Sequence, residues 1–338
     1  MKTIHTLRKL LGVMLVVCLV ALPGIILGAL TDSPYSLSLV VGASTLVAIQ
    51  KNFKALFQSS FDAYEPEWAK FAMVADSQTH SENYQWLGAV PRMKEWVDEK
   101  SVEKLRGFQY TIINKDWEAT IEVDRNDIED DTLGLYRPRI LELGSESKRH
   151  PDELVSLQRA GGENGDCYDG KKFHAANHVV GKSGTQTNIV TGGGVTPALV
   201  LADFRKARAL MRTYKDDQGR PRIRKSGKLD LVAVIPPDLE GVFEELNEPA
   251  PGSTTPKLVI PYTIDPYLTS AGHWYLEFVS APIKPYVLQM RKTAQFVELI
   301  NPNTSDTVFM QKKFHFGVEA RYNSGYGLWF YSVKVKNA

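Results

Sequence analysis

The sequence predicts an α+β protein, because stretches with helical spacing of apolar residues are interspersed with stretches in which apolar and polar residues alternate. In Ile49–Tyr64 apolar residues recur every three or four positions, which places them on one face of a helix. In Trp117–Val123 every second residue is apolar, as expected of a strand. With 338 residues, 43% of them hydrophobic, the chain can build one large or two ordinary domains with a packed core.

The overall charge argues against a chain that is built as a whole for nucleic-acid binding. Lys and Arg number 40 and Asp and Glu number 39, which gives a net charge of +1. The two cysteines, Cys18 and Cys167, lie far apart in different sequence contexts. They therefore imply no disulfide framework and suit a reducing cytoplasm.

The N-terminal segment resembles a signal peptide or a membrane anchor. Lys2, Arg8 and Lys9 precede an apolar run over 10–30, and roughly 20 apolar residues are needed to span a bilayer. The small-residue pattern of a cleavage site is poor near the end of that run. We expect 1–45 to be an apolar extension that is not native, from a start codon placed too far upstream or a fused upstream reading frame, with a genuine membrane-targeting segment as the alternative.

A helix and a hairpin are expected in the first third of the chain. The helix over Ile49–Tyr64 is amphipathic and needs a partner surface, and residues 65–100 predict an extended arm with short pieces. Phe108–Ile113 and Trp117–Val123 alternate on either side of the turn-forming Asn114-Lys115-Asp116, which predicts a β-hairpin. Because its polar faces give it little core of its own, this hairpin is half solvated or buried against another chain.

Residues 124–160 predict a kinked or segmented helix. Tyr136, Ile140 and Leu143 are spaced as on one helical face, while two prolines and a glycine interrupt the pattern. Residues 161–195 are rich in Gly and Asn and predict a long loop with short strands.

The best-defined helix begins at Thr196-Pro197, because Thr can cap a helix and Pro suits its first position. Phe204, Ala207, Met211 and Tyr214 form its apolar face. An Asp-Asp-Gln-Gly stretch ends it.

The remainder of the chain predicts strands, one further helix and a C-terminal hairpin. The strands are expected at 229–235, 258–260 and 274–279, and the helix at 236–247. In the hairpin, 314–320 alternates, Asn323-Ser324-Gly325 turns and 328–335 returns.

Two glycine-containing motifs suggest a phosphate site, and both have a simpler explanation. Gly181-Lys182-Ser183 ends like a phosphate-binding loop, but Ala176 stands where the motif requires a glycine. Gly192-Gly193-Gly194 lacks the spacing of a nucleotide cradle and is more typical of a flexible joint.

Two polar clusters could bind a metal, and neither is assigned as a site. Cys167, His174 and His178 lack an evident fourth ligand, so a loop with exposed histidines is favoured. The acidic cluster over 124–131 suits a helix N-terminus and a solvated face. No catalytic triad can be selected without arbitrary choice. We assign no catalytic residue, cofactor or metal, and we expect the chain not to be an enzyme.

Charge is distributed unevenly along the chain. Residues 116–153 are mainly acidic, whereas 201–228 carry ten basic residues. Opposite patches can steer neighbouring subunits together in a self-assembling protein. The basic block could instead contact DNA phosphates without sequence specificity.

Several short blocks occur in one order over most of the chain. They are NYQWLG at 83–88 with Pro91 and EW at 95–96, KDWEATIEV at 115–123, 125–131 with LGLY at 133–136, PDEL at 151–154, CYDG at 167–170, and a C-terminal set of 316–317, Arg321, GYG at 325–327 and Trp329. On these blocks the chain from about Leu46 onward resembles the Mu-like phage major head subunit family.

This resemblance implies a Hong Kong 97-type capsid fold. In that fold 46–94 is the N-arm and 95–123 an extended hairpin loop that lies over a neighbouring subunit. The peripheral domain, with its spine helix, comprises 124–194 and 286–338. The axial domain around the capsomer axis comprises 195–285.

The resemblance also implies a major capsid protein, assembled in the host cytoplasm and found in the virion. Its hexamers and pentamers would form an icosahedral shell enclosing double-stranded DNA, which they contact non-specifically. A scaffolding protein, a head maturation protease and a portal are the implied partners. The candidate subunit-interface residues are Trp86, Trp96, Trp117, Tyr136, Arg321 and Trp329.

Two alternatives stay open at this stage. The apolar run over 1–30 is also compatible with a membrane-anchored or exported binding protein. A bacterial nanocompartment shell would share the capsid fold but enclose enzymes.

Overall fold

Two β-sheets covered by helices form the framework in the computed structural model, which describes residues 43–84, 110–129, 132–223, 228–249, 259–300 and 306–337. The apolar extension, except for its last three residues, lies outside the described residues. So does most of the predicted extended hairpin loop.

Six α-helices are interspersed among thirteen strands in the described residues. The helices are α1 (Ala43–Ala63), α2 (Arg125–Glu129), α3 (Arg137–Ala160), α4 (Pro197–Thr213), α5 (Glu240–Asn247) and α6 (Asp306–Gln311). The strands are β1 (Ala72–Asp76), β2 (Ser81–Asn83), β3 (Thr111–Ile113), β4 (Lys115–Asp124), β5 (His178–Val179), β6 (Thr185–Gln186), β7 (Ile189–Thr191), β8 (Leu231–Ile235), β9 (Tyr262–Ile264), β10 (His273–Phe278), β11 (Tyr286–Leu299), β12 (Lys313–Tyr326) and β13 (Ser332–Lys336). None of the helices in the described part combines the length and hydropathy that a bilayer crossing requires.

The first sheet has the strand order β1–β11–β12–β4 and is packed against α1 and α3. Strand β1 runs parallel to β11, and the other pairs are antiparallel. The apolar face of α1 meets the sheet through Phe53, whose ring centroid lies 5.0 Å from that of Phe316, and Phe57, 5.3 Å from Phe296. The predicted amphipathic helix and its need for a partner surface are confirmed.

Helices α1 and α3 approach closely at Gly144. A Cβ atom on this residue would lie 2.5 Å from the carbonyl oxygen of Phe57, which is closer than real Cβ contacts. Beside this crossing, the Ser60 hydroxyl donates a hydrogen bond to the Leu141 carbonyl. The crossing therefore depends on the missing side chain at Gly144.

The region over 124–160 is segmented, as predicted. A short 3-10 helix, Thr132–Leu135, separates α2 from α3. Pro138 lies in the first turn of α3, where its missing N–H leaves no helical bond unmade, and α3 continues through Pro151. The helical segment is therefore interrupted before Arg137 and not at Pro151.

The second sheet has the strand order β7–β13–β10–β8–β9 and is packed against α4 and α5. Phe204, Ala207 and Met211 of α4 are buried, which confirms the predicted apolar face. Thr196 precedes α4 in an extended conformation, but its side chain makes no capping hydrogen bond. On α5, Phe243 packs edge-on against Trp274 with centroids 5.7 Å apart.

The predicted hairpin over 108–123 is wrong in its pairing. Strand β3 pairs with β2, whereas β4 pairs with β12, so the two strands separate at Asn114. The Asn114 amide donates to Ser77 Oγ and to the Thr79 carbonyl, both at 2.8 Å, and its oxygen accepts from Gln289 at 2.8 Å. Because these buried bonds hold Asn114 inside the protein, the tripeptide cannot form a solvated turn.

The predicted C-terminal hairpin is also wrong. Strand β12 runs straight through Asn323-Ser324-Gly325, with Gly325 opposite Val287 of β11. A Cβ on Gly325 would lie 2.4 Å from Ile112 Cδ1, so this glycine permits a close approach instead of a turn. The returning segment forms β13 of the second sheet, where it pairs with β10.

The strand predicted at 258–260 is displaced. Leu258 lies outside the described residues, Val259 and Ile260 are not in a strand, and β9 begins at Tyr262. The Asn247 side chain accepts from the Ile260 N–H at 2.8 Å and donates to its carbonyl at 3.0 Å. The Asn247 side chain thus bonds to the backbone groups of Ile260 that would otherwise pair with a neighbouring strand. The strands predicted at 229–235 and 274–279 correspond to β8 and β10.

Candidate assembly interface

A buried arginine connects α3, which covers the first sheet, to the second sheet. Arg159 Nε and Nη2 donate to the two carboxylate oxygens of Glu277 at 3.0 and 3.2 Å, and Nη1 donates to Asp265 at 2.7 Å. The side chains of Arg159, Asp265 and Glu277 are 2%, 5% and 0% exposed. Glu277 lies on β10 and Asp265 follows β9, so one guanidinium fixes two points of the second sheet.

Both sheets contribute further groups to this junction. The Tyr286 hydroxyl, at the start of β11, donates to Glu277 at 2.9 Å, and Ser332 Oγ, at the start of β13, donates to it at 3.3 Å. Burial opposes the charged form of Arg159, but the neighbouring Glu277, Tyr286 and Asp265 raise its pKa overall. The guanidinium therefore stays charged and hydrogen-bonded, and it ties the two sheets together.

Trp117 occupies an outer strand of the first sheet, where its indole is half-buried. Its Nε1 donates to the Tyr322 carbonyl at 2.8 Å, and its ring meets His150 of α3 edge-on with centroids 4.3 Å apart. The indole is thus oriented by its own subunit while part of its surface reaches solvent.

A shallow groove runs beside Trp117 between α3 and β12. It is lined by Leu143, His150, Glu153, Val318 and Ala320, among other residues. The lining thus combines apolar and polar side chains, as do protein contact surfaces, which have an apolar core and a polar rim.

Tyr136 and Arg321 are held at intermediate exposure by bonds within the chain. The Tyr136 hydroxyl donates to Asp127, and this hydrogen bond raises the pKa of the phenol. Arg321 forms an ion pair with Asp116 at 3.2 Å, and its Nη2 lies 3.3 Å from His80 Nδ1. Both side chains are therefore held in place by partners within the same chain.

The sequence profile of the Mu-like prophage major head subunit gpT family matches residues 46–211 and 265–338 of this chain. These two ranges make up well over half of its length. The chain belongs to this family. It is therefore a major capsid protein, a structural component of the phage head, and its place is in the virion shell.

Two curated relatives of this head subunit extend over most of its length. The Mu-like prophage FluMu major head subunit of Haemophilus influenzae is 29% identical over 290 residues, covering 86% of this chain and 71% of that protein. The major capsid protein of Escherichia phage Mu is 26% identical over 299 residues, covering 88% of this chain and 75% of that protein.

Solved capsids show the same fold. The procapsid of bacteriophage JBD30 matches with a TM-score of 0.56 and 23% identity, covering 88% of this head subunit and 76% of that chain. The mature capsid of bacteriophage PhiM1 matches with a TM-score of 0.53 and 12% identity, covering 81% and 88%. The predicted Hong Kong 97-type capsid fold is confirmed. Family membership also favours a head subunit over the membrane-anchored and nanocompartment alternatives.

Trp329 lies in the core of the head subunit. It is 1% exposed, and its ring stacks on His178 with centroids 4.0 Å apart and planes 5° apart. Tyr214 packs against its edge at 5.2 Å. The enclosed ring of Trp329 therefore has almost no surface that a neighbouring subunit could contact. The candidates Trp86 and Trp96 lie outside the described residues.

The expectation of exposed histidines is wrong. His174 and His178 are 2% and 0% exposed. His174 Nε2 lies 3.1 Å from Ser332 Oγ, and His178 Nδ1 lies 2.6 Å from Asp169 Oδ2, so both imidazoles have polar partners inside the protein. Burial also raises the pKa of the Cys167 thiol. Within the described ranges, no group of three or more His, Cys, Asp or Glu side chains could hold a metal ion.

The remaining motifs serve local structure. Ser183 Oγ donates to the Gly184 carbonyl and accepts from the Val180 N–H. These hydrogen bonds within 180–184 stabilise the local turn. In the acidic cluster, Asp124 accepts from the Asn126 N–H at 2.8 Å at the start of α2, which supports the helix N-terminus interpretation.

The sequence reasoning missed the Arg159 junction. Its signals were present: Arg159 follows Val155 by four residues on the buried face of α3, and Glu277 interrupts the otherwise apolar core of β10. A lone buried charge on each of two elements indicates an ion pair between them.

Proposed function

We propose that this head subunit assembles as hexamers and pentamers into an icosahedral shell that encloses double-stranded DNA. Family membership carries this proposal, since capsid proteins of this fold act by self-assembly. The Arg159 junction supports it, because a shell subunit must keep its two sheets in a defined relation while neighbours bind to both.

We also propose a division of the chain that follows the sheets. Helix α3, as the spine helix, and strands β4, β11 and β12 of the first sheet form the peripheral domain. The second sheet with α4 and α5 forms the axial domain, which then includes β7 and β13 in addition to 195–285. Residues 46–94 act as the N-arm, and the segment that precedes β3 acts as the extended loop.

The contact surface that we propose centres on Trp117 and the groove beside it, with Tyr136 and Arg321 at its margins. A partly exposed aromatic ring that is already oriented loses little side-chain freedom on binding. Trp86 and Trp96 are proposed as anchors of the arm or loop that a neighbour contributes.

Further partners belong to the same proposal. Packaging DNA into a closed shell requires a portal, and building that shell is expected to use a scaffolding protein and a head maturation protease. Contact with packaged DNA is non-specific. The buried thiol of Cys167 and the buried imidazoles of His174 and His178 are unsuited to catalysis, which supports a purely structural role.

Electron microscopy of the purified full chain over a range of concentrations tests the proposal. Closed shells or rings with five- and six-fold symmetry are the expected result. A monodisperse monomer at every concentration would overturn it.

A further inference from the structure

A basic groove lies on the second sheet beside α4. Arg205, Arg208 and Arg212 line it at positions i, i+3 and i+7 of the helix, and Lys228 joins them from the segment before β8. Its floor is apolar and includes Leu231. The helical spacing places the three arginines in one stripe.

Three of the four cations of this groove have no ion-pair partner within the described chain. Arg205, Arg208 and Lys228 form no ion pair with any described residue, although the Arg208 guanidinium lies over the Phe204 ring at 5.6 Å. Elsewhere the subunit does pair its surface charges, for example Lys292 with Glu319 at 3.2 Å. The groove therefore keeps a concentrated positive charge available to a partner.

An acidic stripe lies on the neighbouring helix. Glu240, Glu244 and Glu248 follow one another every four residues along α5 and its C-terminal cap, and Asp238 and Glu245 flank them. None of these carboxylates forms an ion pair with a described residue. Helix α5 contacts α4, so both stripes belong to the same part of the subunit, yet no described ion pair joins them.

We infer that the basic groove of one head subunit receives the α5 acidic stripe of a second copy. A contact between two different patches of identical chains is head-to-tail, and its repetition gives a ring when the rotation between neighbours closes, as in the proposed hexamers and pentamers. Opposite charges on the two patches favour this arrangement and disfavour contacts between like patches. The inference rests on the proposed ring-forming function and specifies which surfaces meet.

Charge reversal tests the pairing. The full-length variant R205E/R208E/K228E changes the groove from four cations to three carboxylates and Arg212. The variant E244K/E245K/E248K changes the acidic patch to three lysines, Asp238 and Glu240. Each variant places like net charges at every ring contact, so the assembled fraction should fall by at least about tenfold. The six-residue variant with both reversals restores opposite charges and should recover assembly to within about threefold of wild type. K171E/K182E/K215E, at exposed loop positions, is the control for R205E/R208E/K228E because it changes the net charge equally.

Mixing the two reversed variants gives a second and sharper result. Alternation of the two around a ring places an acidic patch against a basic one at every contact. Alternation closes with six subunits but not with five. An equimolar mixture should therefore form six-membered rings and no five-membered rings, even though neither variant assembles alone.

The outcomes separate the two levels of the argument. Failure of the wild type to assemble would overturn the proposed function itself. Wild-type assembly together with unchanged assembly of R205E/R208E/K228E would overturn the inference. A six-residue variant that assembles no better than either three-residue variant would overturn it as well. Normal assembly of R205E/R208E/K228E with loss of DNA retention would assign the groove to nucleic-acid phosphates and equally overturn it.

Discussion

Arg159 donates two hydrogen bonds to the carboxylate of Glu277, and both side chains are almost completely buried. The arginine lies at the end of the long helix that covers the first sheet, and the glutamate lies in the middle of the second sheet. The pair therefore fixes the orientation of one sheet relative to the other, and with it the two surfaces from which neighbours would bind.

Replacing Arg159 with alanine should destabilise the subunit strongly. The change leaves Glu277 and Asp265 buried without a cation, and breaking a buried pair in this way costs about 3–5 kcal/mol. Denaturant unfolding of the unassembled subunit measures the loss.

An exposed ion pair provides the control for that measurement. Arg139 and Glu142 pair at 2.9 Å with side chains that are 70% and 58% exposed. Arg139→Ala should cost less than about 1 kcal/mol. Equal losses for Arg139→Ala and Arg159→Ala would show that the junction contributes no more than a surface pair.

Gly144→Ala should weaken the crossing of α1 and α3. The added methyl group would meet the Phe57 carbonyl oxygen at 2.5 Å, so one helix must shift, at a cost of about 1–3 kcal/mol. Gly241→Ala in α5 is the matched control, because nothing lies within 4 Å of its Cβ position. Removing a helical glycine there should stabilise the subunit by about 0.5–1 kcal/mol. The same sign of change for both variants would contradict the close approach.

Helical periodicity identified the helices well because it depends on residues that are close in sequence. The buried face of α4, with Phe204, Ala207 and Met211, follows directly from the spacing. Alternation also located β4 and β12, but it did not identify their partners. A strand that alternates is equally compatible with a hairpin and with a distant partner.

The two wrong turns share a cause. Asn and Gly favour turns, but they also suit buried positions that need a bifunctional amide or the absence of a side chain. Asn114 is used for its amide, and Gly325 for its missing Cβ. Both needs arise from residues far away in sequence, so local patterns could not reveal them. The Arg159 junction is non-local in the same way.

Acid should destabilise the subunit through His174. Burial lowers the pKa of this imidazole well below its ordinary value of 6.5, and the positive charge of Lys334 lowers it further. Well above pH 6.5 the side chain is neutral in both folded and unfolded chains. As the pH falls below that value the unfolded chain takes up a proton that the folded one does not, so stability decreases.

The variant His174→Gln isolates this effect. The uptake of one proton on unfolding changes the unfolding free energy by at most about 1.4 kcal/mol per pH unit. Between pH 7 and pH 5 the slope of unfolding free energy against pH should therefore be smaller in the variant than in the wild type, by up to about 1.4 kcal/mol per pH unit. His150 and His273, whose pKa values burial also lowers, keep a residual slope of the same sign. Identical slopes for wild type and variant would contradict the assignment.

Trp117→Ala should impair assembly more than folding, whereas Trp329→Ala should do the reverse. Trp329 is fully enclosed, so its truncation should lower the unfolding free energy by about 3–5 kcal/mol. Trp117 is half-buried at an outer strand, so its loss should cost the isolated subunit only about 1–2 kcal/mol, while the concentration required for assembly rises at least tenfold, or about 1.4 kcal/mol per contact. Sedimentation measures assembly, and denaturant unfolding measures stability.

The variant Trp117→Phe keeps a ring against His150 but loses the hydrogen bond to the Tyr322 carbonyl. The concentration that it requires for assembly should therefore lie between those of the wild type and Trp117→Ala. Assembly of Trp117→Ala at the wild-type concentration would remove the groove beside Trp117 from the contact surface.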